Sequence, residues 1–189
     1  MTIQTESLYM PLAEKKLGAF SWSATEAVAV DDDGILEATA TKTTEQTITE
    51  LDGQPPCARL LTVKSTGTAG DIAAKDIVIY GTDINDQAIS EAITPTADTA
   101  INATTTRAFK TVSKIVIGAM DGTGANIKVG WADKYGLPFV MDKEVLVYSL
   151  ENGAVATAAT ITSNTELAKN VVAFHTSSNG KSREIVVLC

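Results

Sequence analysis

With 189 residues the chain is long enough for one domain with a real core, or for one domain plus an appendage. Its net charge of −8 excludes the broad basic face that a nucleic-acid backbone requires, and favours a basic partner surface. Apolar residues make up 44% of the chain but aromatics only 5%, so the core is expected to rest on Val, Ile, Leu and Ala.

The first stretch, "MTIQTESLYMPLAEKK", has neither the basic n-region nor the apolar h-region of a secretory leader. No window of the chain approaches the roughly 20 apolar residues of a membrane helix. The expectation is a protein made in the cytoplasm, with no membrane and no nucleic acid among its partners. "PLAEKKLGAF" (11–20) predicts a short helix with Pro11 in its first turn. "EATATKTTEQTITE" (37–50) shows no strong core face, and its threonines suit an exposed strand or an extended arm. "DGQPPCA" (52–58) is rigid and turn-rich, and marks a boundary. Residues 1–50 are therefore read as an N-terminal arm or edge segment whose deletion leaves the rest folded.

Strand patterns dominate from there. "ARLLTVKSTG" (58–67) alternates Leu61 and Val63 against Thr62 and Lys64. "KDIVIYGTDIND" (75–86) puts Ile77 and Ile79 on one face and Val78 and Tyr80 on the other. "QAISEAIT" (87–94) follows, and the Asn and Asp residues between the two predict a hairpin turn. "KTVSKIVIGAM" (110–120) and "ANIKVGWA" (125–132) read as a second strand pair joined by "DGTG". In "EVLVYSLENGAVATAATIT" (144–162), Asn152-Gly153 predicts a hairpin. "NVVAFHTSSNGKSREIVVLC" (170–189) repeats that plan, and "SNTELAKN" (163–170) holds at most one helical turn.

The fold class expected is all-β: an antiparallel β-sandwich or barrel with an extended N-terminal arm and C-terminal β-hairpins. Residues 51–140 form the core sandwich. Residues 141–189 form a C-terminal β segment, packed on that core or standing as a small second β domain.

Chemistry is harder to find. "VDDDGIL" (30–36) offers three consecutive carboxylates, Asp31, Asp32 and Asp33, as hard ligands for calcium. Consecutive side chains point in different directions, and a calcium loop spaces its ligands at alternate positions. A solvated acidic turn is the preferred reading. Asp83, Asn85 and Asp86 form a second acidic turn that turn chemistry already explains. His175, the single histidine, has no metal or catalytic pattern around it and is read as structural or surface. Cys57 and Cys189 are read as reduced thiols. No GxSxG elbow, HExxH helix, CxxC pair or phosphate loop is present. The expectation is a protein that is not an enzyme and uses no cofactor or metal.

"VGWADKYGLPFVM" (129–141) interrupts this bland pattern with aromatics, glycines and a proline. Taken in order with Gly81-Thr82-Asp83, Ile89, Glu91, Ile93, Ala108-Phe109-Lys110, Val112 and Ile115, it resembles a family of tailed-bacteriophage virion proteins. The matching pieces there are Val129-Gly130 and Asp133 to Pro138, and the likeness covers residues 55 to 189. The family has Gly after Asn in the first turn, where this chain has Asp86. The resemblance implies a capsid decoration (cement) protein in the virion, bound to the major capsid protein as a homo-oligomer, with a trimer favoured. Other virion parts (head fibre base, connector or tail) and a carbohydrate- or host-recognition module are the alternatives. On this reading Trp131, Tyr135, Leu137 and Phe139 anchor the chain where it leaves the sandwich, or plug an apolar pocket on a partner.

Overall fold

The computed structural model describes residues 17–141 and 145–188, and among these it is all-β with antiparallel pairing throughout. The strands in chain order are β1 (Leu17–Trp22), β2 (Asp31–Ala40), β3 (Gln46–Ile48), β4 (Arg59–Gly67), β5 (Ile77–Thr82), β6 (Ala88–Ile93) and β7 (Asn102–Phe109). They continue with β8 (Thr111–Ile117), β9 (Ala125–Gly136), β10 (Val145–Glu151), β11 (Ala154–Val155), β12 (Thr160–Thr162), β13 (Val171–Ala173) and β14 (Arg183–Leu188).

Three sheets result. A central sheet runs β12-β13-β9-β4-β7, with β2 also on β9. A second sheet runs β3-β8-β5-β6, and a terminal sheet runs β1-β14-β10-β11. In β4 the expected alternation of buried and exposed residues does not hold, since Leu60 and Thr62 are buried as well, Leu60 against Ala108 and Val171 on the other face. It holds in β5, where side chains alternate between faces, and Leu61, Val63, Ile77 and Ile79 are all buried. These residues meet Ile115, Ile117, Ile127 and Val129 in a first core that is almost wholly aliphatic, between the central and second sheets. At one side the two sheets close on each other. The Glu91 carboxylate on β6 accepts the backbone N–H groups of Thr106 and Arg107 on β7, at 2.7 and 2.8 Å.

A second core has a different composition. Trp22, Tyr135, Leu137, Ile161, Val172, Ile185 and Val187 are buried in it, with Phe20, Phe139 and Phe174 packed alongside. Trp22 lies 5.0 Å from Tyr135 and 5.6 Å from Phe174 between ring centroids, in tilted and edge-on arrangements. Five aromatics are thus gathered in the second core, whereas the first rests on Val, Ile, Leu and Ala with Phe109 as its one fully buried ring.

β9 serves both cores. Its first half gives Ala125, Ile127 and Val129 to the first, and Tyr135 gives its ring to the second. Between them the register with β4 shifts, so that Leu61 faces Trp131 but Arg59 faces Tyr135. Extra residues on one strand of a pair bend it and re-aim its side chains, here from one core to the other.

Several expectations need correction. Residues 17–20 lie in β1, not in a helix, because Phe20 and Trp22 reach the second core on one face of a strand. Residues 1–16, where the rest of that helix and the first part of the arm or edge segment were expected, lie outside the described residues. Residues 17–50 do not stand off as an arm. β1 pairs with β14, β2 with β9 and β3 with β8, so they are edge strands that complete three sheets. They also bury Trp22, Ile35 and Leu36. A deletion through residue 50 would open both cores and would not leave a folded remainder.

Residues 110–120 and 125–132 do not form a hairpin. β8 pairs with β3 and β5, while β9 pairs with β4, β2 and β13. "DGTG" is a crossover between sheets, held where the Asp71 carboxylate accepts the Gly124 N–H at 2.5 Å. Residues 170–189 likewise form no hairpin: β13 joins β9 and β12, and β14 joins β1 and β10. The β5–β6 hairpin and the β10–β11 hairpin are present as expected. The latter turns on Asn152 (φ 52°) and Gly153 (φ 78°), the paired positive values that a two-residue hairpin loop requires.

Candidate functional site

The first acidic segment is a half-buried strand start and not the solvated turn expected. Asp31–Asp33 open β2, and their carboxylates diverge. Asp33 Oδ2 lies 2.7 Å from Lys128 Nζ, and Asp32 Oδ2 lies 2.7 Å from Lys64 Nζ. Asp31 Oδ1 accepts the backbone N–H of Asp33 at 3.1 Å. The Lys128 ammonium holds the Asp33 carboxyl below its ordinary range, and Asp33 in turn raises Lys128. Each aspartate is engaged by a different partner, and among the described residues no group of three His, Cys, Asp or Glu is placed to hold a metal ion. The second acidic turn is used locally. Asp83 Oδ1 accepts the N–H groups of Asn85 and Gln87 at 2.9 and 3.0 Å, and Asp86 pairs with Lys110 at 2.8 Å. Asp86 has φ 61°, which explains why glycine would also suit that position.

The other residues that carry the resemblance serve the fold in the same way. Gly81 and Gly130 lie where neighbouring backbone crosses too closely for a side chain: a Cβ would strike the Thr111 carbonyl or the Asp31 carbonyl. Ala108 and Phe109 are buried, and Lys110 is the partner of Asp86. Of the four junction residues, Tyr135 and Leu137 have no exposed surface, and Phe139 packs partly buried against the same second core. Trp131 belongs elsewhere. It borders the first core, and its indole Nε1–H donates to the Ala29 carbonyl at 2.9 Å. The four side chains therefore anchor two cores and are not gathered at one exposed site.

Two buried arginines were not legible in the sequence. Arg59 on β4 has no exposed surface. Its Nε–H donates to the Ala132 carbonyl at 2.8 Å, and its Nη1–H donates to the Val28 carbonyl at 2.9 Å. Nη2 stands 3.6 Å from Asp133 Oδ1, and the guanidinium lies 4.8 Å from the centre of the Tyr135 ring. Burial pulls the Arg59 pKa down, opposed by Tyr135, Cys57 and Asp133. Asp133 also accepts from the Ser178 N–H at 2.8 Å and from the Ser178 hydroxyl, which in turn meets the Tyr135 hydroxyl. Burial raises the Tyr135 phenol. Arg183 on β14 repeats the arrangement. It pairs with Glu151 at 2.8 Å, donates to Thr176 Oγ1 at 3.0 Å and the Ser177 carbonyl at 2.8 Å, and lies 4.9 Å from the Phe174 ring centre. Each guanidinium fastens a loop carbonyl, of Val28 or Ser177, beside the second core, and Arg59 also holds the β9 carbonyl of Ala132. Such forks suit Arg because five fixed donors can serve several acceptors at once.

Cys57 sits beside Arg59 as a free thiol, donating weakly to the Glu26 carbonyl at 3.7 Å. Burial pushes its pKa up to about 12. Since the thiolate is the reactive form, native Cys57 should label very slowly with a thiol reagent near neutral pH. In a Cys189→Ser background, labelling should become fast and complete only on unfolding. Rapid reaction of the native protein would show that the thiol is open to solvent. His175 is exposed near the end of β13.

The surface feature that remains is the outer face of the terminal sheet. Phe20, Trp22, Ile185 and Val187 point into the second core. Leu17, Ala19 and Ser21 on β1 therefore point away, and by register so do Val186 and Glu184 on β14 and Tyr148 on β10. Leu17 is 68% exposed, Val147 53%, Tyr148 39% and Val155 82%. A shallow groove of about 460 Å³ lies along β10 and β11, lined by Leu146, Val147, Tyr148, Val155 and Ala159. The chain matches no protein-family model, no curated protein and no solved structure.

Proposed function

We propose that this chain is a non-enzymatic virion protein of a tailed bacteriophage, a decoration protein bound to the outside of the major capsid lattice. The observation that carries the reading is the ordered series of matching residues from Gly81 to Pro138. Its support from the geometry is indirect. The matching residues serve a rigid framework, as a family held together by its fold requires, and an apolar sheet face is left free for a partner. A decoration protein of this kind needs little affinity per copy, because many copies on one symmetric shell act together. For the carbohydrate-module alternative, Trp22 and Tyr135 are buried, which leaves half-buried Trp131 and exposed Tyr148 as the rings a sugar could stack on. The deciding measurement is copy number in purified particles, by quantitative mass spectrometry against the major capsid protein. A ratio near one is expected. A dozen copies or fewer would move the protein to the portal, tail or fibres, and absence from particles would remove the virion reading altogether.

A further inference from the structure

One strand edge lacks the features that keep edges from pairing. β1 reads Leu17-Gly18-Ala19-Phe20-Ser21-Trp22, six residues without a charge or a proline. It pairs with β14 on one side, and among the described residues no strand pairs with its other side. The other sheet borders differ. β3, β11 and β12 are only two or three residues long. β2 is irregular in register and carries Asp31–Asp33. β6 and β7 cover one another through Glu91. Sheets protect their borders by shortness, charge, bulges or cover, because a long bare edge offers unpaired N–H and C=O groups to any other strand.

We propose that β1 pairs antiparallel with β1 of a second copy of this chain, joining two four-stranded terminal sheets across a two-fold axis. Charge argues for a second copy at this edge. Each chain carries a net −8, so contact between most surfaces of two copies would oppose carboxylates. Contact along β1 opposes only Leu, Gly, Ala, Phe, Ser and Trp. The faces also agree. A two-fold axis through Ala19 sets Leu17 of one copy opposite Ser21 of the other, all on the outer face. An axis through Phe20 sets Gly18 opposite Trp22, all on the core face. A slip of one residue from either would oppose the core face of one copy to the outer face of the other, so only these registers keep both cores on one side of the joined sheet. The contact is isologous, with each copy using the same patch. It also places the exposed Leu17, Tyr148 and Val155 of both copies on one side of a continuous sheet.

An edge of six residues makes a small interface, so the pair should form and dissociate with concentration. It is independent of the capsid reading, and its symmetry differs from the trimer that the resemblance implies. Light scattering coupled to gel filtration on the full chain should give a mass rising from one chain to two as concentration increases. Amides of β1 should gain protection from hydrogen exchange over the same range. Ala19→Glu places the carboxylates of the two copies opposite each other in the first register and diagonal in the second, on an exposed face, and should weaken pairing about tenfold or more with an unchanged melting curve. Ser21→Glu sets a carboxylate against Leu17 or Ala19 of the other copy, should also weaken pairing, and serves if the first variant does not fold, while Ala19→Val should still pair. A monomer at every concentration, a trimer, or a dimer that both glutamate variants leave intact would overturn the proposal. Unchanged exchange in β1 would do so without any variant.

Discussion

Arg59→Ala should lower the free energy of unfolding by about 3–5 kcal/mol, the range for stranding the partners of a buried charged group. The side chain is fully buried, and it holds the Val28 and Ala132 carbonyls at 2.9 and 2.8 Å. Truncation leaves both acceptors unpaired, removes the cation from the Tyr135 face and opens a cavity. Arg59→Lys should recover only a minor part, because one ammonium cannot follow the two directions of the fork. Arg59→Met fills the space but still strands the carbonyls, so it should fall between alanine and the native protein. Urea unfolding at constant slope gives all three values. A loss under about 1 kcal/mol for Arg59→Ala would mean that water replaces the guanidinium at those carbonyls.

Gly130→Ala should be comparably damaging, at about 3 kcal/mol or more, because the added methyl meets backbone and not a flexible side chain. Gly130 faces Thr62 on β4, while β2 crosses so near that a Cβ would strike the Asp31 carbonyl and the Asp32 carbonyl carbon. Relief requires β2 to lift from β9, which would expose Ile35 and Leu36. Gly153→Ala is the control. Gly153 has φ 78° with nothing within 4 Å of its would-be Cβ, so only the left-handed conformation is penalised, by about 1–2 kcal/mol. Thermal unfolding of the two variants should rank Gly130→Ala well below Gly153→Ala. Equal melting temperatures would show that β2 is held too loosely for the crossing to matter.

These two positions show where reading the chain succeeds and where it stops. Gly130 stands out in the sequence as part of a motif, yet the strand that crosses it lies about a hundred residues earlier in the chain. Arg59 does not stand out at all. Charged side chains are expected at the surface unless paired, and its carbonyl partners lie 31 and 73 residues away. Asp31–Asp33 also escaped a local reading: three carboxylates before a glycine suit a solvated turn, but they open β2 half-buried, because Lys64 and Lys128 on neighbouring strands take two of the three.

The sequence by itself determined what depends on neighbours along the chain. Alternation in β5, the Asn152-Gly153 turn and the self-bonded turn at Asp83 all follow from local backbone preferences and a period of two. Beyond the β5–β6 and β10–β11 hairpins, tertiary structure alone decided which strands pair. "DGTG" suits a hairpin as well as a crossover, and the Asp71 carboxylate on Gly124 fixes the crossover. It also decided that residues 17–50 supply the edges of three sheets, and that Trp22, Tyr135 and Phe174 meet in one core. Strand pairing is set by backbone hydrogen bonds that any residue but proline can make, so the choice among many similar strands falls to side chains distant in sequence.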